Sequence, residues 1–109
     1  MGFESASVLC NLLAKAEKAT QIPDLLRLYD IARQPRTAQV ISASRKTASL
    51  WQMPDGPLQV ERDRQFREDI PPSAGYPNPV EDPFFQEWLF GFNARECADR
   101  EWDMYRSRC

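Results

Sequence analysis

The chain has 109 residues, 42% hydrophobic and 28% charged, which suits one ordinary globular domain and excludes a multidomain enzyme; neither a disordered tail nor a disulfide-packed miniprotein is the first reading. Its 14 basic and 16 acidic side chains leave a net charge of -2 and a pI near 5.1, so nothing draws it generally to nucleic acid. It contains no histidine, and therefore lacks the commonest general base, the usual partner of a nucleophilic Ser or Cys, and the commonest metal ligand.

Cys10, Cys97 and Cys109 are odd in number and widely spaced, which predicts neither a zinc site nor a disulfide framework and fits a reducing compartment. The apolar run at 80–90 is broken by Glu81, Asp82, Gln86 and Glu87, too short and too charged for a bilayer. Residues 1–11 carry Glu4 and no basic side chain, unlike a secretory leader, so the expected location is cytoplasmic.

At 5–18 the apolar positions Val8, Leu9, Leu12, Leu13 and Ala16 recur at helical spacing, with Ser5 as cap and Lys15 and Lys18 near the C-terminal end of the dipole. A second helix should open at Pro23, with Asp24 in its first turn and a face of Leu25, Leu28, Ile31 and Ala32. Pro35 should kink or stop it, after which Ala38, Ile41, Ser44, Ala48 and Trp51 resume a helical face, with Arg36, Arg45 and Lys46 on or near the polar side. The spacing predicts one long helix bent near Pro35, or two.

Met53-Pro54-Asp55-Gly56-Pro57 is a stop and turn, and Pro57 can start the next helix. Residues 58–68 hold only Leu58, Val60 and Phe66 among Glu61, Arg62, Asp63, Arg64, Arg67 and Glu68, the pattern of a solvated surface helix. Residues 69–82, with Pro71, Pro72, Gly75, Pro77 and Pro79, read as an extended proline-rich loop. Asp82-Pro83 opens a short helix through Phe84, Phe85, Trp88 and Leu89, closed by Gly91. Asn93 caps a last, peripheral helix over 94–106, whose less polar side is Cys97, Ala98, Trp102 and Tyr105. The expected fold is all-α, with about four to five helices in a single segment, 1–109, divided at 1–52, 53–81 and 82–109. Residues 1–54 carry +3 and 55–109 carry -5, so the halves attract or present solvated faces.

Candidate chemistry is sparse. The adjacent carboxylates Glu68/Asp69 and Glu81/Asp82 lie beside prolines and do not converge on a substrate. Asp55-Gly56 is turn chemistry, because a phosphate cradle needs more glycines before a helix start. Cys10 reads as a small core hydrophobe beside Leu9 and Leu13. Phe84, Phe85, Trp88, Phe90, Phe92 and Trp102 read as a packing anchor, with no adjacent basic residues to suit a base-stacking platform. No residue is assigned a catalytic or metal-binding role. The proline-rich span and this large aromatic group both predict a wider surface to cover.

The ordered series Gly2-Phe3-Glu4-Ser5-Ala6, Leu26-x-x-Tyr29, Arg33-x-Pro35-Arg36-Thr37-Ala38-x-Val40, Ser44-Arg45, Met53-Pro54-Asp55-Gly56-Pro57 and Asp82-Pro83-x-x-Gln86-x-Trp88-Leu89-Phe90-Gly91-Phe92 covers nearly the whole chain. In this order it resembles the C-terminal quarter of FAD-dependent aromatic hydroxylases, more narrowly the fungal salicylate-hydroxylase-type monooxygenases. The resemblance implies a full-length family that uses FAD and NAD(P)H to place one oxygen atom of O₂ on an aromatic substrate, in aromatic or secondary metabolism. It also implies that these helices cover Rossmann-like and substrate sheets which this chain lacks. The family's Gly-x-Gly-x-x-Gly loop, its central Asp-Gly and its Gly-Asp segment have no counterpart here, and Asp55-Gly56 belongs to the later Pro-Asp-Gly-Pro turn.

On the resemblance the chain starts just after the family's last flavin-contacting glycines. It should bind no cofactor alone, with Gly2 the one remnant near FAD, and Arg36 should pair with an acidic group. The expectation is a C-terminal fragment of such an enzyme, inactive alone. The competing readings are a small helical interaction protein docking on a partner and, last, a cofactor-free enzyme with a buried carboxyl. Exposed apolar helix faces predict a protein partner or self-association, with no membrane and no nucleic acid.

Overall fold

The computed structural model describes residues 1–68, 78 and 81–108. Among them the chain forms α1 (Gly2–Leu13), a 3₁₀ turn (Ala19–Gln21), α2 (Ile22–Trp51), α3 (Pro57–Arg67), α4 (Pro83–Phe90) and α5 (Ala94–Ser107), with no strand. The all-α expectation holds, with five α-helices. No helix among the described residues is long and apolar enough to cross a membrane. Most of the expected proline-rich loop falls outside the described residues. The chain divides into two compact units, Met1–Gln39 with Asn93–Cys109, and Val40–Phe92.

In the first unit, α1 begins earlier than its periodicity suggests. The Ser5 N–H already donates to the Met1 carbonyl at 2.9 Å, so Ser5 lies inside the helix and caps nothing. The helix closes at Leu13 through tight bonds from Lys15 to the Leu12 carbonyl and from Ala16 to that of Leu13. The Gln21 side-chain oxygen then accepts the Glu17 and Lys18 N–H groups and turns the chain into α2. The core is small: Val8 and Leu12 from α1, Leu25 and Leu28 from α2, and Ala98 from α5.

Helix α5 is not peripheral. It packs along α1, with Ala98 fully buried, and polar bonds fasten it beside that contact and in its last turn. The Lys15 ammonium lies 2.5 Å from Asp99, and the Tyr105 hydroxyl donates to Asp24 at 2.7 Å. Asn93 caps it as expected, accepting the Arg95 and Glu96 N–H groups at 3.1 Å. A short alanine at the contact lets two backbones approach, so α5 docks closely with little apolar bulk of its own. Cys10 is also corrected: it is exposed on α1, on the side away from Val8 and Leu12.

Helix α2 is a single helix with Pro35 inside it, so of the two expected forms the one long helix holds and the stop at Pro35 does not. Leu25 and Leu28 are buried as expected, whereas Ile31 is exposed. Beyond the proline the anticipated face is the outer one: Ile41 and Trp51 are exposed, and Val40, Ala43, Thr47 and Leu50 are the half-buried positions.

In the second unit, Gly56 takes φ 157°, a conformation side chains disfavour, and Pro57 then begins α3 as anticipated. No residue of α3 is buried, which matches a solvated helix. Arg64 pairs with Glu61 and Glu68 along its surface, while Arg62 donates to the Leu50 carbonyl at 2.7 Å, satisfying a backbone group in the last turn of α2. Asp82 caps α4 by accepting the Phe84 and Phe85 N–H groups at 3.0 and 3.2 Å. Gly91 ends α4 as expected, and for a steric reason: a Cβ there would meet the Glu87 carbonyl oxygen at 2.6 Å.

Leu12 sits at the centre of the first unit's core, so Leu12→Ala should cost about 2–5 kcal/mol. Leu58→Ala, at a side chain 74% exposed, should change stability by less than about 0.5 kcal/mol. Urea unfolding followed by circular dichroism checks both.

Candidate functional site

A partly buried polar cluster joins α1 to α2 in the first unit. Glu4 lies in the first turn of α1, where the helix dipole favours an anion. Arg33 and Arg36 stand three residues apart on α2, on one face of the helix and on either side of Pro35. Arg36 grips the carboxylate with a fork, its Nε 2.5 Å from Oε1 and its Nη2 3.0 Å from Oε2. Arg33 places Nη1 2.7 Å from Oε1 and Nε 3.2 Å from the Ser5 hydroxyl oxygen. Both arginines are buried, and the Glu4 side chain is 20% exposed.

This answers the two expectations for Arg36. Its acidic partner is Glu4, and it is not on the polar side of α2. The Arg36 hydrogen bond is the chief influence holding the Glu4 carboxyl below its ordinary value of 4.5, against burial, with Arg33 adding to it. Arg33 and Ser5 were not legible as parts of the cluster. The available signal was their spacing: two arginines three apart on α2, opposite an adjacent acid and hydroxyl on α1.

Such a cluster is a clasp, because each guanidinium is directed at a carboxylate already held in place. A charge-assisted, bidentate pair fixes orientation and leaves little freedom for acid–base work. Several other carboxylates are committed as well. Asp82 is a cap, Asp99 is held below its ordinary value chiefly by the Lys15 hydrogen bond, and Asp63 likewise by Arg62. Glu68 and Glu81 are exposed, and Asp69 lies outside the described residues. Burial and the neighbouring Glu101 push the Cys97 thiol up, away from its reactive form. Cys109 lies outside the described residues. Among the described residues no group of three or more His, Cys, Asp or Glu could hold a metal ion.

The second unit holds a groove of about 410 Å³ lined by Val40, Ala43, Ser44, Thr47 and Ala48 of α2 and by Phe85, Gln86 and Leu89 of α4. It has no charged lining residue. Phe85 and Trp88 pack with ring centroids 5.8 Å apart, so part of the predicted aromatic anchor is assembled, whereas Phe84 and Phe90 are exposed.

The cluster's charges are paired across two helices, and curated proteins that share this stretch of sequence are monooxygenases, one of them named as FAD-dependent. The chain is 33% identical over 97 residues to the FAD-dependent monooxygenase OpS4 of Beauveria bassiana (strain ARSEF 2860), a match that takes in 89% of this chain and 23% of that protein. It is 32% identical over 92 residues to the 3-amino-4-hydroxybenzoate 2-monooxygenase of Streptomyces cremeus, covering 84% of this chain and 20% of the relative. Over 98 residues it is 34% identical to the 3-amino-4-hydroxybenzoate 2-monooxygenase PtnB3 of Streptomyces platensis, covering 90% and 22%. The chain thus spans about a fifth to a quarter of the length of these curated relatives. No protein-family model matches it.

A flavin dinucleotide's pyrophosphate needs free cations or a nest of backbone N–H groups, and neither the clasp nor the α2–α4 groove supplies the former. Arg33 and Arg36 are engaged by Glu4, and the α2–α4 groove carries no cation. Gly2, the expected remnant near FAD, is exposed at the first turn of α1, and a Cβ there would meet nothing within 4 Å.

The clasp has a defined pH signature. Because the Glu4 pKa is lowered on folding, its stabilisation is fully present above about 4.5 and is lost as the pH falls through the depressed value. Glu4→Gln should therefore lower stability at neutral pH, by at most the about 3–5 kcal/mol of a broken buried pair, reduced because Glu4 keeps partial exposure. The difference from wild type should shrink as the pH drops below 4.5, in urea melts run from neutral to acid pH.

Proposed function

We propose that this chain is the C-terminal helical portion of a salicylate-hydroxylase-type monooxygenase, one that uses FAD and NAD(P)H to hydroxylate an aromatic substrate. Its helices supply scaffold, and the reacting groups and the flavin site belong to the rest of such an enzyme. The observation that carries this reading is the Glu4–Arg33–Arg36 clasp, in which two buried arginines hold α1 and α2 together through one carboxylate. Two further points support it. The motif order runs along nearly the whole chain, and two curated relatives are named for action on 3-amino-4-hydroxybenzoate, an aromatic acid.

A second reading, a small helical accessory protein docking on a partner, is favoured by the uncharged α2–α4 groove. It differs in requiring a stable monomer that binds an independently folded protein. Light scattering over a dilution series, followed by binding to a purified monooxygenase, separates the two.

The 109-residue chain, mixed with FAD and passed through a desalting column, should emerge without a visible flavin band. It should also show no NAD(P)H-dependent oxygen uptake. Stoichiometric flavin, or oxygen consumption above that of free FAD, would overturn the proposal.

A further inference from the structure

The first unit contains an opening that takes no part in the clasp. Its volume is about 410 Å³, and it is lined by Glu17 and Gln21 from the link between α1 and α2 and by Trp102, Tyr105 and Arg106 of α5. At about 100° per residue the three α5 side chains fall within an arc of about 100°, so they share one face of its last turns. Trp102 and Tyr105 stack there with ring centroids 5.6 Å apart and planes at 29°, which makes one wall aromatic.

The walls are fastened from behind. The Tyr105 hydroxyl donates to Asp24, and the Gln21 side-chain oxygen accepts the Glu17 and Lys18 N–H groups at 2.8 and 3.1 Å. The other end of that amide, Gln21 Nε2, has no bonded acceptor among the described residues. Glu17 and Arg106 bring opposite charges to the same opening yet do not pair with each other. Neither side chain has an ion-pair partner among the described residues, whereas Lys15 pairs with Asp99 and Arg27 with Asp24 in the same unit. The negative end of the α5 dipole accounts for a cation at Arg106 but does not account for the unpaired carboxylate across from it.

The chemistry of these walls selects an occupant. A simple anion would meet Arg106 but also the like charge of Glu17, and a simple cation would meet the reverse. A zwitterion gives each charged side chain its counter-charge, and its carboxylate can take a further hydrogen bond from Gln21 Nε2. A flat ring on the same molecule stacks against Trp102 and Tyr105. The volume falls within the about 300–1,000 Å³ of small-molecule sites.

We propose that this opening binds a small aromatic amino acid in its zwitterionic form, with the carboxylate on Arg106, the ammonium on Glu17 and the ring on the Trp102–Tyr105 pair. The site does not depend on the proposed function, because all five residues belong to the first unit of this chain.

Calorimetric titration of the 109-residue chain at neutral pH tests it with L-phenylalanine as the probe. Three comparison probes each lack one element: hydrocinnamate the ammonium, phenylethylamine the carboxylate, and L-alanine the ring. L-Phenylalanine should bind saturably with a Kd below about 10 mM, at least about threefold tighter than each of the three. Glu17→Gln and Arg106→Gln, both at exposed positions, should leave the helical circular dichroism unchanged and weaken that binding at least about threefold. The losses should be selective: Glu17→Gln erases the preference over hydrocinnamate, and Arg106→Gln erases the preference over phenylethylamine.

No saturable binding of L-phenylalanine would overturn the site. Equal binding of hydrocinnamate or phenylethylamine would reveal a plain anion or cation site, and equal binding of L-alanine would leave the rings without a part; each would overturn it. Unchanged affinity in either variant would do the same, since the probe would then lie elsewhere. The proposed function survives all of these results, because none of them concerns flavin or oxygen uptake.

Discussion

The structure depends on one carboxylate held by two arginines across a proline. A proline inside a helix forfeits a backbone hydrogen bond and crowds the preceding turn, at a cost of about 3 kcal/mol or more. Helix α2 runs through Pro35 regardless, and Arg33 and Arg36 on either side of it both end on Glu4. Hydrogen bonds to charged groups contribute about 1.5–3 kcal/mol each, and Glu4 accepts three of them from these arginines, so tertiary fastening outweighs the local penalty. The same bonds serve α1, whose 12 residues are too few for a stable isolated helix. One interaction therefore decides the continuity of the longest helix and the seating of the first.

With the clasp in place, the rest of the first unit follows economically. Five small or medium apolar side chains form its core, and Lys15–Asp99 and Tyr105–Asp24 secure α5 beside Ala98 and in its last turn. So few buried groups cannot anchor much more than themselves. Large apolar residues such as Phe3, Ile31, Ile41, Trp51, Phe84 and Phe90 stay exposed. That imbalance, a sparse core beside abundant apolar surface, suits helices shaped to lie against a larger body. It agrees with a stretch matching about a fifth to a quarter of monooxygenase chains.

What could be read from sequence was mostly local. Asp82, Asn93, Pro57 and Gly91 act as caps, start and stop, because those roles depend on a residue and its next few neighbours. The solvated character of α3 was legible for the same reason, its five charged residues outnumbering Leu58, Val60 and Phe66. Contacts between distant segments were not. Arg36 reads as a surface cation until Glu4 is seen 32 positions away, and Cys10 reads as core until α5 is seen to take the other side of α1. Helix α5 reads as peripheral because its docking uses one buried alanine and polar bonds from Asp99 and Tyr105 in place of a buried apolar stripe. Beyond Pro35, periodicity alone could not tell which of two adjacent faces turns inward, since a shift of one residue rotates the choice by about 100°.

A scaffold account makes a specific demand on energetics: the clasp must act as a coupled unit, and its charges must do more together than apart. A double-mutant cycle on Glu4→Gln and Arg36→Gln in the 109-residue chain, by urea unfolding at neutral pH, measures that coupling directly. The account predicts a favourable interaction energy of about 1–3 kcal/mol that disappears below the titration of Glu4. Additive effects at neutral pH, with no coupling beyond about 0.5 kcal/mol, would contradict it.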